Sequence, residues 1–137
     1  QGQVLVNKKI ADDIIDIFNF MLEVKFPIYQ VIPIVRYEWN DEKSMEANNT
    51  YSFCYRNITY SKHARGMAID INPKQNPLIW KEGFKHRKNV PEGAIYNPEI
   101  PGTFTRESPV VLKFKSLGYK WGHEFRRNSD THHFEKR

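Results

Sequence analysis

The feature that most constrains the fold is the stretch from Tyr60 to Pro73, YSKHARGMAIDINP. Met67, Ile69 and Ile71 alternate with Ala68, Asp70 and Asn72, the period of two that sends successive side chains to opposite faces of a strand. One face must be buried, and the other carries a carboxylate. Asp70 therefore points away from the apolar layer, and Gly66, just upstream, permits the positive backbone angle that turns His63 back toward it. By pattern alone the pair reads either as half of a metal site or as a surface histidine beside a hydrogen-bonded aspartate.

The rest of the chain supplies helices and strands to pack on that layer. From Lys8 to Lys25 the residues Ile10, Ile14, Ile17, Phe18, Met21 and Leu22 recur at steps of three and four, which predicts an amphipathic helix with Asn7 as its N-cap and Phe26-Pro27 as its stop. IYQVIPIVRYEW reads as an extended segment that Pro33 confines to a sheet edge or a bulge. Asp41 to Ala47 suits a short helix and Asn48 to Thr50 a turn. Ser108-Pro109 opens another helix that Gly118 closes. YKWGHEF and HHFEK then form a final pair of strands around a turn at Arg126 to Ser129. The proline-rich stretch from Pro73 to Gly102 has no periodicity and reads as a long connection of functional or surface-draped character. The sum is an α+β fold, a small, mostly antiparallel sheet flanked by helices, in a single domain spanning 1–137.

Composition narrows the chemistry. The single cysteine, Cys54, excludes an intramolecular disulfide and a thiolate-rich zinc cluster. Set between Phe53 and Tyr55, it reads as an inert thiol. Any metal must be held by histidine and carboxylate. No apolar run approaches the roughly 18 residues of a membrane-spanning helix. The start at Gln1-Gly2, without Met, is compatible with removal of an N-terminal segment, a signal peptide included. A net charge of +5 favours an anionic partner without choosing one. The run Lys85 to Lys88, KHRK, which contains His86, reads first as a solvated loop and second as a nucleic-acid or polyanion contact, and no nucleic-acid partner is expected.

A mononuclear catalytic zinc takes three protein ligands and leaves one position open. His63, Asp70 and His133 meet that count. Asp130 lies three residues before His133 in DTHHFE, so a turn leading into a strand lets both face one cleft. Glu135 shares a strand face with His133, where it can orient it, while Phe134 takes the core side. His132 reads as solvated or structural, and His123 has no assigned role.

Together, NNTYSFCYR, YSKHARGMAIDINPKQNP, GYKWGHEF and DTHHFE resemble, in order and spacing, the peptidoglycan-cleaving M15 metallopeptidases. The family signature Ser-x-His-x-x-Gly-x-Ala-x-Asp is met at Ser61, His63, Gly66, Ala68 and Asp70, and the likeness runs from about Tyr29 to the C-terminus. It implies one zinc ion on His63, Asp70 and His133, Asp130 as the catalytic carboxylate, Arg56 acting on the substrate or the developing oxyanion, and Ser61 beside the substrate. It also implies peptidoglycan stem peptides as substrates, a D-alanyl-D-alanine carboxypeptidase or L-alanyl-D-glutamate endopeptidase activity, a monomer, and a periplasmic, extracellular or wall-associated setting. The signalling domain of hedgehog proteins is similar to this family and keeps the metal, so a zinc-stabilised binding module is the alternative on the same fold. His123 and Phe125 stand where the family often has a second glycine and a tryptophan.

Overall fold

A computed structural model describes residues 1–58 and 60–137. Its helices are α1 (Ala11–Glu23), α2 (Asp41–Glu46) and α3 (Pro109–Ser116). Its strands are β1 (Ala68–Asp70), β2 (Leu78–Trp80), β3 (Tyr119–Trp121), β4 (Asn128–Asp130) and β5 (His133–Lys136). The fold is α+β. An antiparallel sheet in the order β1-β5-β3 forms its centre, and β2 and β4 pair in a separate two-stranded ribbon.

Expectations for the first helix hold with one refinement. Asn7 does cap it, accepting from the Lys9 N–H, but the first turn, Lys8–Ile10, is a 3-10 turn that feeds α1. Ile14, Ile17 and Met21 are buried along one face of α1, and Val110, Val111 and Phe114 are buried on α3. Both faces close on Ile69, Ile71, Trp121 and Phe134. Phe134 is the hub: its ring stacks on Phe114 at 3.9 Å between centroids and meets Phe104 edge-on at 5.1 Å. Burial of aromatic surface on this scale anchors the strand that carries His133.

Three expectations are corrected. Ile28 to Trp39 does not form an edge strand: only Val31 bridges, to Thr50, and Pro33 then opens a 3-10 turn, Ile34–Tyr37. Proline has no N–H for a ladder and a preset φ suited to a turn start, so Ile34 is buried in a small cluster with Tyr51 and Cys54 instead. Within the stretch from Pro73 to Gly102, Leu78–Trp80 is a strand. Its partner comes from the segment expected to be a turn, since Asn128–Asp130 pairs with it in the register Leu78 to Asp130. Two asparagines staple this connection to the core. Asn72 Nδ2 donates to the Pro27 and Gly102 carbonyls, and Asn76 Nδ2 donates to Gly102 while its Oδ1 accepts from the Phe104 N–H.

Candidate active site

Sheet register brings two of the candidates together. β1 and β5 run antiparallel with Asp70 directly opposite His133, a cross-strand pair close enough for side chains to touch. His63 arrives from the 3-10 turn His63–Arg65, which Gly66 ends at φ 62°. A side chain at Gly66 would press on the Asn7 backbone nitrogen at 2.8 Å, so the turn needs glycine for both its conformation and its space. Three atoms converge: His63 Nε2 lies 3.1 Å from Asp70 Oδ1 and 3.1 Å from His133 Nδ1, which is 2.9 Å from Asp70 Oδ1. All three residues are buried.

The remaining ring nitrogens fix which atoms face the centre. His63 Nδ1 sits 2.7 Å from the Ser52 carbonyl, and His133 Nε2 sits 3.1 Å from Glu135 Oε2. Each of these nitrogens carries the hydrogen and donates, which leaves His63 Nε2 and His133 Nδ1 as the lone pairs turned inward, the arrangement of outer partners that orients metal-binding imidazoles. A tetrahedral zinc with bonds of about 2.0–2.1 Å has ligand-to-ligand edges of about 3.3 Å. The observed triangle of 2.9 to 3.1 Å fits that face with only small outward movement. As a bare cluster the same three acceptors hold a proton. Burial pulls the His133 ring down, but hydrogen bonds with Asp70 and Glu135 and the neighbouring carboxylate charges push it up to about 10. Burial raises Asp70, yet the His63 and His132 charges and the bonds from His133 and His63 hold it well below the usual carboxylate range. The site is built for positive charge.

Asp130 lines the same cleft of about 340 Å³, along with Arg56, Ser61, Tyr51 and Leu78. Its Oδ1 is buried and lies 2.9 Å from His132 Nε2, yet it receives no well-directed hydrogen bond. That is a costly arrangement unless a donor enters from the cleft. Arg56 is half-buried, its Nη2 2.6 Å from Asp41 Oδ2 and 3.2 Å from the Tyr51 hydroxyl. Burial disfavours its charge, but Tyr51 and Asp41 more than offset this and raise its pKa. Asp41 was not a candidate from sequence, because an acid in the first turn of α2 looks like a partner for the helix dipole. Here it aims the guanidinium.

His132 takes the structural of its two readings. It is buried, with Nδ1 2.7 Å from the Asn76 carbonyl and Nε2 turned toward Asp130. Burial lowers its pKa, but the charges of Asp130 and Asp70 push it up to about 9. The sequence pattern put His132 inside the strand HHFEK, whereas β5 begins one residue later, at His133. His123 lies outside the ligand cluster. Its Nε2 accepts from Arg106 Nε at 3.3 Å, so Nδ1 carries the hydrogen and donates to Ser129 Oγ at 2.6 Å. In that tautomer it cannot serve as a base for Ser129. Cys54 is buried, and burial pushes its thiol up despite Arg56, consistent with the inert reading. Among the described residues no helix is long and apolar enough to cross a membrane.

Residues 56–136 match a family model described as D-alanyl-D-alanine carboxypeptidase, of the M15 peptidases. No curated protein and no solved structure matches the chain. The matched span begins at Arg56 and encloses β1, the ribbon and β5, so it carries the buried triangle as well as Asp130. Covering more than half of the sequence, it establishes that this chain belongs to the M15 D-alanyl-D-alanine carboxypeptidase family.

Proposed function

We propose that the protein is a zinc-dependent peptidase that hydrolyses peptidoglycan stem peptides outside the cytoplasm, as a D-alanyl-D-alanine carboxypeptidase. The observation that carries this reading is a buried triangle of acceptors, His63, Asp70 and His133, with an incompletely satisfied carboxylate oxygen of Asp130 in the same cleft. The triangle would hold the ion, whose contribution when bound is Lewis acidity toward a carbonyl and acidification of a water.

The side chains supply the rest. Asp130 accepts the proton of the attacking water at Oδ1 and returns it to the leaving amine, general base then general acid. Arg56, always charged, offers a planar fork for a terminal carboxylate. Asp41 holds one edge of that fork in place. Ser61, half-buried on the cleft wall, is placed to hydrogen-bond the peptide backbone. A cleft of about 340 Å³ suits a peptide terminus, and a terminal carboxylate for Arg56 supports exopeptidase over L-alanyl-D-glutamate endopeptidase cleavage.

The test uses a defined muropeptide pentapeptide and mass spectrometry. Loss of a terminal alanine supports the reading, and release of the intact peptide from its sugar-linked alanine would replace it with the endopeptidase. Asp130→Asn is expected to keep stoichiometric zinc and lose about 10²–10⁴ in turnover, whereas His63→Ala loses both. A wild-type protein that binds zinc but cleaves neither bond would leave the zinc-stabilised binding module.

A further inference from the structure

We infer that the β2–β4 ribbon and the loop Lys81 to Lys88 form a docking surface for a base-free phosphodiester polymer. Residues 80–92 and 120–128 hold seven Lys and Arg against three Glu, a net +4 out of the chain's +5. These charges lie on the end of β2, the loop after it, and the stretch from β3 to the start of β4.

Two arginines are more than charge. The Arg87 guanidinium lies over the Trp80 ring, 4.8 Å from its centroid, and Arg127 lies over Phe84 at 5.8 Å. Trp80 and Phe84 are themselves neighbours, 6.5 Å between centroids. The ribbon fixes this group: Lys81 N–H donates to the Arg127 carbonyl at 3.1 Å, and Trp80 Nε1 donates to the Lys88 carbonyl at 2.8 Å. Both arginines are exposed, and among the described residues neither has a carboxylate partner, unlike Lys85 and Lys88, which pair with Glu82 and Glu92.

Cation–π attraction holds each guanidinium against a ring, which restricts its freedom and favours two-pronged binding of phosphate. Arg126 adds a third exposed cation beside Arg127. Nucleic acid is the poorer occupant. Single strands are gripped through aromatic faces on which bases stack, and here a guanidinium already takes one face of each ring. A polymer of phosphodiesters without bases needs only the forks and their spacing. The arginines gather at the Trp80–Asn128 end of the ribbon, the opposite end from the Leu78–Asp130 pair that lines the cleft.

The experiment measures binding of fluorescently labelled poly(glycerol phosphate) by anisotropy across a salt series, with a single-stranded DNA of equal phosphate number as the second probe. Removing one phosphate-binding side chain should flatten the slope of log affinity against log salt by about 0.7. The double variant Arg87→Ala, Arg127→Ala is expected to flatten it by about 1.4 and to weaken affinity at least tenfold at low salt. Lys8→Ala, Lys9→Ala, removing two exposed charges before α1, should change neither by more than twofold. The charge-preserving Arg87→Lys, Arg127→Lys should still weaken binding several-fold, because the ammonium cannot bind phosphate two-pronged. Equal effects in the arginine-to-alanine and lysine-to-alanine pairs would overturn the proposal in favour of diffuse net charge. DNA binding as tight as the glycerol polymer would overturn it in favour of a nucleic-acid surface.

Discussion

Gly122→Ala should disable the site while leaving the chain folded. Gly122 follows β3 and starts a 3-10 turn in which its φ is ordinary, so backbone strain is not at issue. Space is. A Cβ built there would sit 2.4 Å from the Asp130 carbonyl oxygen, 2.9 Å from Asp130 Cβ and 3.1 Å from His133 Cβ. Ordinary contact begins at 3.4 Å, so the β4–β5 connection must retreat by about 1 Å at Asp130 and a few tenths at His133. Overpacking of this kind costs about 1–3 kcal/mol, roughly 3–5 °C of Tm per kcal/mol for a chain of this length. The functional cost is larger, because a displacement of about 1 Å in a catalytic group is worth about 10²-fold in rate. The expected result is a cooperative melt lowered by several degrees, zinc affinity reduced modestly through His133, and kcat on a D-alanyl-D-alanine pentapeptide down about 10²-fold. Gly83→Ala is the control. Its φ is 84° with nothing within 4 Å, so it should cost about 1 kcal/mol of strain and no activity. A Gly122→Ala enzyme with wild-type kcat and Tm would refute the claim that this close approach sets the position of Asp130.

His132→Gln should lower kcat about tenfold at unchanged zinc stoichiometry, since the ring is anchored on the Asn76 carbonyl and sets its charge 2.9 Å from Asp130 Oδ1; His132→Ala should also drop Tm, because the buried carbonyl is orphaned at about 1–3 kcal/mol, and normal kcat in both variants would remove the positioning role. Arg56→Lys should raise KM for a peptide with a free C-terminal carboxylate and leave an amidated analogue unchanged, as expected when a two-pronged grip is removed at constant charge; equal effects on both peptides would exclude carboxylate capture. The pH dependence of stability should reverse with zinc: His133 at about 10 and His132 at about 9 are raised above their unfolded value of about 6.5, so the metal-free protein is fully stabilised by them below pH 6.5 and loses that stabilisation as pH climbs through 9 to 10. His133 must give up its proton to bind zinc, so zinc affinity should gain about tenfold per pH unit in the same range, and melts with chelator and with zinc that shift in parallel would contradict the protonated cluster.

What the sequence made legible is what depends on near neighbours. The strand alternation around Asp70 and the glycine after Arg65 predicted where His63 and Asp70 would face, and both now share the buried triangle. His133 could be proposed from its motif, but its position opposite Asp70 is a matter of strand register, a long-range property that local pattern does not carry. The ribbon was hidden for the same reason. Leu78–Trp80 is too short and too lightly patterned to read as a strand, and it becomes one only because Asn128–Asp130 arrives to pair with it. That pairing has a chemical consequence. With Asp130 held opposite Leu78, and Asn76 two residues before Leu78 receiving His132, the candidate base is positioned by the long connection as much as by its own loop. Asn72 and Asn76 tie that connection to Gly102 and Phe104. Polar residues that looked like loop composition are thus the supports of the site, and their role follows from tertiary hydrogen bonds, which leave no period in the sequence.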